Sequence, residues 1–351
     1  MRLLDLHGDH LQMGFQHGQQ LLDLRPLIVE AVDKRLSGLK AEPAAGLLRE
    51  VERVWAAMVP STLDMLAGMA QALDLDAGLL FRYAAASYLE DSLREGSGAE
   101  GCTVWAASGP ATADRLPILT KNRDYSLSHL PLQALAQATP QRGYRYLYVT
   151  SAGSPGVFSS GMNEKGLAVA DTHVPSSDVG PGVARYTLMM ELLEQHSSVA
   201  SALGYLEAMP RMGPGNLILI DAAGEMAVFE MGHRYWGIVS AANHVVAATN
   251  HFVIPPLRGH YVKREGGGTD DESETRYRSI HQRLSECWGS LSGDKARRIM
   301  GSHADGEAAI CRHELSDAGG TISNVIFFPA ERSLLFCNGR PCEGGYARYS
   351  L

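Results

Sequence analysis

The sequence predicts an α+β protein in which sheets lie in layers with helices outside them. Three observations lead there. The first third carries apolar positions at helical spacing. From residue 102 onward, short β-rich runs are separated by Gly, Pro, Asn and Asp. The helical patterns in this second part come in blocks rather than alternating with single strands, so a regular βαβ repeat is disfavoured.

Residues 1 to about 98 read as helical, since "LLREVERVWAAMVPSTLDMLAGMAQAL" repeats apolar residues at three and four. "FRYAAASYLEDSLRE" continues the pattern and loses it at "GSGAEG", the clearest linker in the chain. Strands are expected over "CTVWAAS", "LPILTKN", "YRYLYVTSA", "GLAVADTHV", "NLILIDAAGEMAVFEMG", "YWGIVSAA" and "HVVAATNHF". "LILIDAAGEMAVFE" reads as a hairpin turning at Ala222-Ala223-Gly224. A helical pair, "RYTLMMELLEQ" and "SVASALGYLEAM", interrupts the strands. A second polar loop, "GHYVKREGGGTDDESETRY", leads into a helix around "RYRSIHQRLSECWGSL", in which Cys287 and Trp288 read as helix core. The chain closes with the hairpin "TISNVIFFPAERSLLFCNGRPC".

The 351 residues suffice for one large domain or two ordinary ones. At 45% hydrophobic and 20% charged, the composition is that of a globular protein. A net charge of −8 argues against nucleic acid and an anionic membrane surface as partners, because both require a basic face. No apolar run reaches the roughly 18 residues of a membrane span. "MRLLDLHGDHLQMG" breaks into Asp and His too early for a signal peptide, so the cytoplasm is the expected location. Five cysteines are too few, and odd in number, for a disulfide framework. Cys337 and Cys342 are expected as a reduced pair flanking a turn.

Cys102 follows Gly101 at the end of the linker. A thiol in that position can attack the preceding carbonyl, since glycine tolerates the strained backbone such an attack needs. The peptide would shift to a thioester and water would release Cys102 as a new N-terminus. Its α-amino group, with a pKa of about 8, can then act as base for its own thiol. Asp124 in "LTKNRDY" ends the next expected strand, where antiparallel pairing can bring it beside Cys102 to hold the new ammonium. Asn250 in "AATNHF" ends an apolar run, and its amide can donate to a developing oxyanion. Taken singly, each also suits an ordinary role: a buried strand cysteine, a turn aspartate, a capping asparagine.

In order along the chain, "GCTVWAA", "KNRDY", "GMNEKGLAVA", "ATNHF", "ETRYRS", "AICRH" and "TISNVIFFPAERSLLFCNGRPC" resemble the acyl-CoA:6-aminopenicillanate acyltransferase (C45) family. Its members are N-terminal-nucleophile (Ntn) hydrolases related to choloylglycine hydrolase. The resemblance implies a single four-layer αββα sandwich over 1–351, made as an inactive precursor. It implies cleavage between Gly101 and Cys102 into a mainly helical α chain (1–101) and a catalytic β chain (102–351) that stay together as a heterodimer. It also implies that Cys102 is the nucleophile, that Asp124 holds its amino group, that Asn250 belongs to the oxyanion hole, and that Arg276 supports nucleophile and aspartate.

The chain departs from the family at two positions. Relatives with bile-salt activity carry Arg where this chain has Lys121, and an asparagine where it has His173. His173, or a backbone N–H, would then supply the second oxyanion donor. The expected substrate is a small-molecule amide, N-acyl or aminoacyl, cleaved through a Cys102 thioester without a cofactor. Acyl transfer from acyl-CoA or an amide to an amine is the alternative. The acidic chain shows no cluster for the CoA phosphates, which favours hydrolysis. An uncleaved binding protein on the same fold is a second alternative, and a metal-dependent hydrolase a third. No metal site is expected. Cys311 and His313 have ligand types but lack a partner motif at zinc spacing, and His303, His244 and His251 read as scattered.

Overall fold

The computed structural model describes residues 1–37, 41–93, 101–262, 269–303, 309–313 and 319–351. The stretch read as a linker (94–100) and the middle of the second polar loop (263–268) lie outside the described residues.

The chain opens with β1 (Arg2–Gly8), then α1 (His10–Gln20), α2 (Arg25–Ser37), α3 (Ala41–Met58), α4 (Pro60–Leu73) and α5 (Ala77–Leu93). Six strands follow: β2 (Gly101–Ala107), β3 (Ile118–Ser126), β4 (Gln133–Pro140), β5 (Tyr146–Ser151), β6 (Ser160–Asn163) and β7 (Ala168–Thr172). Next come α6 (Arg185–Gln195) and α7 (Val199–Ala208), then β8 (Gly215–Ile220), β9 (Met226–Met231), β10 (Trp236–Ser240) and β11 (Val245–Ala248). The last part holds the short α8 (Pro255–Arg258), α9 (Thr269–Glu286), α10 (Gly293–Met300), β12 (Gly319–Phe328), β13 (Ser333–Asn338) and β14 (Tyr346–Ser350).

Two sheets form the middle of the molecule. One has the order β1-β4-β5-β6-β7-β8-β9-β10, the other β11-β2-β3-β12-β13-β14. Alternation along the strands sorts their side chains into three cores. Val104, Ala106 and Leu119 face the gap between the sheets and meet Leu135, Val149 and Ile218 of the larger sheet. Trp105, Ala107 and Ile118 face the other way, onto Ile280 and Leu284 of α9 and Ile299 and Met300 of α10. The far face of the larger sheet, with Tyr148, Leu217 and Phe229, packs on Met13, Trp55, Met69 and Leu188 from the helices. The layers run helix, sheet, sheet, helix, as the family resemblance implied.

Local chemistry explains the helices on the larger sheet. Asp9 caps α1 by accepting from Gln12 N at 2.8 Å, while Gln12 Oε1 accepts from Asp9 N at 3.0 Å. Such a reciprocal cap stabilises a helix by about 1 kcal/mol. Then α1 lies directly against α4: a Cβ on Gly14 would sit 2.0 Å from the Met65 carbonyl oxygen, so only glycine fits.

Three expectations need correction. The N-terminal third is not wholly helical, because Arg2–Gly8 pairs in parallel with β4 at the edge of the larger sheet. Leu4 and Leu6 point inward and their neighbours outward, a period-two signal too short to stand out beside the helices. Helix α9 begins at Thr269, inside the segment read as loop. Its buried stripe is Ser273, Arg276, Ile280 and Leu284, and two polar members hid the helical period. Trp288 is not core. It is 48% exposed, beyond the end of α9, and donates to the Asn243 carbonyl at 2.9 Å. Among the described residues no helix is long and apolar enough to cross a membrane.

Candidate active site

The smaller sheet gathers four of the singled-out residues at one strand end. Antiparallel register sets Gly101 opposite Asp124 and Cys102 opposite Arg123. On the other side of β3, Thr321 of β12 faces Asp124, next to an irregularity between Thr321 and Ser323. On the other side of β2 runs β11, and the chain leaving Ala248 delivers Asn250 to the same end. Helix α9 covers them with Ser273 and Arg276, both fully buried.

Cys102 is held through its backbone. Its N–H donates to Asn250 Oδ1 at 2.9 Å, and its carbonyl accepts from Arg276 Nη1 at 2.6 Å. The same guanidinium donates to Thr103 Oγ1 and to Asn250 Oδ1, each at 2.8 Å. Asn250 is fixed in turn: its backbone N–H donates to Ser273 Oγ at 2.8 Å and its Nδ2 to the His173 carbonyl at 2.9 Å. An amide nitrogen carries two protons, and the His173 carbonyl takes one of them. Burial lowers the Arg276 pKa to about 10, against the pull of Asp124, so the side chain stays cationic at neutral pH.

Asp124 is buried, and its two oxygens differ. Oδ1 accepts from Thr321 Oγ1 at 2.7 Å. Oδ2 makes no hydrogen bond, and neither does Nη1 of Arg312, its ion-pair partner 3.7 Å away. Both atoms face Gly101: a Cβ there would lie 2.7 Å from Asp124 Oδ2 and 2.8 Å from Arg312 Nη1. Gly101 supplies room beside the carboxylate and guanidinium.

A cleft opens on Cys102, lined by Lys121, Asp124, Asp171, His173 and Arg185. Lys121 is buried; its Nζ donates to the Asp171 carboxylate, to the Asp171 carbonyl at 2.6 Å and to the Ser159 carbonyl at 3.2 Å. Arg185 Nε reaches the second Asp171 oxygen at 3.3 Å. Burial alone would raise the Asp171 pKa, yet Lys121 and then Arg185 hold it below the ordinary carboxylate value. Burial pushes the Cys102 thiol up, with Lys121 the main opposing charge. Arg35, Arg123, Tyr125, Phe158 and Tyr186 line the rest of the cleft. The guanidinium of Arg123 lies 4.8 Å from the Phe158 ring centre.

The structure thus brings Gly101, Cys102, Asp124, Asn250 and Arg276 together, with Lys121 and His173 on the cleft wall. The sequence reading missed Asp171, Arg185, Ser273, Arg312 and Thr321. Asp171 and Arg185 left a trace, as charges set in the otherwise apolar "GLAVAD" and "RYTLMM". The others left none. Cys311 and His313 are not isolated either, because folding brings His303 and Cys342 to them. All five thiols are free. Cys337 faces the Gly344 carbonyl at 2.9 Å, and the thiol beside Cys342 is Cys311, 3.5 Å away, rather than Cys337.

Comparison with known proteins agrees with this architecture. The family model described as "Acyl-coenzyme A:6-aminopenicillanic acid acyl-transferase" matches residues 111–343. No curated protein matches the chain. Among solved structures, a variant of conjugated bile acid hydrolase from Clostridium perfringens is similar, with a TM-score of 0.50 at 14% identity, over 71% of this chain and 92% of that one. A second variant of that hydrolase gives 0.49 at 13% identity, over the same shares. Penicillin V acylase from Agrobacterium tumefaciens gives 0.43 at 15% identity, over 68% of this chain and 83% of that one.

Proposed function

This chain belongs to the acyl-coenzyme A:6-aminopenicillanic acid acyl-transferase family, among the Ntn amidohydrolases and acyltransferases, and on that premise we propose that it is an autoprocessed cysteine amidohydrolase. Cys102 Sγ attacks the Gly101 carbonyl carbon, the C–N bond breaks, and the proton passes to the released amine. Water then cleaves the thioester, leaving Gly101 as a carboxylate and Cys102 with a free amine and a free thiol. The observation that carries this reading is Asp124 Oδ2. It is a buried carboxylate oxygen without a hydrogen bond, beside Gly101, whose bond to Cys102 would break to free the Cys102 amine. A buried charge left so costs stability unless a later state uses it.

In the processed enzyme the amine takes the proton of the thiol, and the thiolate attacks a substrate amide. The second proton of Asn250 Nδ2 and a neighbouring N–H stabilise the tetrahedral oxyanion. The leaving amine is protonated, and water resolves the acyl thioester. The segments 1–101 and 102–351 act as one unit, since β1 is built into the larger sheet beside β4 and the helices bury their apolar faces on it. Among the described residues the cleft is lined by Arg35, Lys121, Arg123 and Arg185 and by the carboxylates of Asp124 and Asp171, a polar wall suited to a small amide substrate.

Intact mass of the purified protein is the test. Two fragments split before Cys102, replaced by one 37.9 kDa chain in Cys102→Ala, are expected. A full-length wild-type chain that hydrolyses amides would overturn the mechanism. Adding acyl-CoA and an acceptor amine then measures partitioning. Acyl transfer outrunning hydrolysis would make the protein an acyltransferase.

A further inference from the structure

We propose that His303, Cys311, His313 and Cys342 form a closed Cys₂His₂ site for a structural zinc ion. The four come from three separate stretches: His303 after α10, Cys311 and His313 before β12, and Cys342 after β13. One donor atom from each lies within 4.8 Å of all the others. His303 Nε2 and His313 Nε2 are 3.1 Å apart, His313 Nε2 and Cys342 Sγ 3.1 Å, and Cys311 Sγ and Cys342 Sγ 3.5 Å. Bond lengths of about 2.3 Å to sulfur and 2.0–2.1 Å to nitrogen give a tetrahedron with edges of roughly 3.3–3.8 Å. These three separations are near those edges, and every other pair lies within 4.8 Å. Two imidazole nitrogens and two sulfurs converge on one point, and a shared cation satisfies all four together.

The surrounding chain is built to hold this cage. Asn122, fully buried on β3, donates from Nδ2 to the Met300 carbonyl at 2.8 Å and the Ile310 carbonyl at 3.0 Å. That fixes both ends of the excursion presenting His303 and Cys311. The N–H of Cys311 donates to the Ser302 carbonyl at 2.9 Å, and Arg340 Nη2 donates to the His313 carbonyl at 3.3 Å. Cys311 is buried, whereas His303 lies at the surface, which leaves a route for an ion to enter.

The donor set selects the ion. Paired thiolates and imidazoles in tetrahedral array favour zinc over magnesium or calcium, which take oxygen donors. All four positions are filled by protein, so no position is open for substrate, and the ion is structural. Binding would release the two thiol protons and tie the connection between α10 and β12 to the one between β13 and β14. Between two of the ligands sits Arg312, whose guanidinium faces Asp124 and Gly101. The zinc thereby positions Arg312 beside the proposed cleavage bond, although the site stands on its own geometry whatever Cys102 does.

The test is metal content of the full-length protein, purified under reducing conditions, with zinc and then cobalt(II) as probes. About one zinc per chain is expected, and the cobalt form should show d–d and thiolate charge-transfer bands of a tetrahedral site. His303→Gln, a surface change that leaves no cavity, and Cys342→Ser should each weaken zinc binding by at least about 100-fold. Removing zinc should lower Tm in the wild type and leave Tm of His303→Gln unchanged. Failure of the reduced, folded protein to take up zinc or cobalt overturns the proposal. So does a Cys311–Cys342 disulfide, seen as a two-hydrogen mass loss, in metal-free native protein. Cleavage before Cys102 is read from the same mass spectra, so this result is separable from that of the catalytic reading.

Discussion

Two cysteine centres flank the smaller sheet, and they differ in what surrounds the sulfur. Around Cys102 the neighbours are a lysine, a buried carboxylate and an arginine that grips the backbone, and among the described residues no second thiol or imidazole nitrogen is bonded to it. Around Cys311 they are a second thiol and, at the same cage, two imidazoles. The first arrangement leaves one sulfur facing a cleft. The second converges four soft or borderline donors on a point. A thiol's chemistry is therefore set by the groups folding places around it, and buriedness alone separates neither centre, since both sulfurs are buried. Arg312 is shared, lying in the chain between Cys311 and His313 and reaching Asp124.

The comparison can be broken at either centre. Cys102→Ala carries the largest expected effect, a loss of amide hydrolysis of about 10⁶-fold, as for removal of a nucleophile. Steady-state rates on an N-acyl substrate measure it, and a comparable loss in His303→Gln would show that the two centres share one task. Asn250→Ala comes next, with kcat down by about 10²–10³ and KM little changed. Stopped-flow turnover by the processed enzyme checks it, because the same variant also loosens Cys102 N and can slow cleavage.

Gly101→Ala is smaller and more local. The added methyl would meet Asp124 Oδ2 and Arg312 Nη1 inside contact distance. Overpacking of this kind costs about 1–3 kcal/mol, so slower cleavage and a lower Tm are expected, visible by mass over time and by calorimetry. Cleavage at the wild-type rate would mean that space beside the carboxylate is not what the glycine provides.

The last effect, which leaves the two centres untouched, is a control on pH. His17, fully buried with neither ring nitrogen hydrogen-bonded, titrates at about 4 instead of 6.5 because burial disfavours its cation. Between those values the unfolded chain binds more protons than the folded one. This stabilising contribution is therefore complete above 6.5 and is lost as pH falls towards 4. The shift corresponds to roughly 3 kcal/mol, and His17→Leu should flatten the stability curve over that range in urea titrations. Any pH dependence of turnover that survives in His17→Leu belongs to the cleft.

Much of this was legible along the chain. The hairpins at Ala222-Ala223-Gly224 and over β12 and β13, and the helical pair α6 and α7, follow from period and turn chemistry alone. Strand β4 was not legible: alanine and glutamine carry weak strand preference, and burial in a sheet overrides it. The start of α9 was hidden because its inward stripe includes Ser273 and Arg276, whose burial makes sense only against Asn250 and Cys102. Asp124 could be placed by register, since one hairpin links it to Cys102. Arg312 and Thr321 reach it from about two hundred residues away and offered no local sign.

By itself the sequence determined the helices that fill most of the first third, the layered sheets and the order of motifs that marks the family. Those features depend on local period and on residues read in line. Only the tertiary structure decided that Gly101 is needed for space, that Asp124 keeps one oxygen unbonded, and that His303 and Cys342 complete Cys311 and His313. Each of these is a convergence of segments distant in the chain. The free energy that fixes them comes from burying faces against one another, so no local pattern records it.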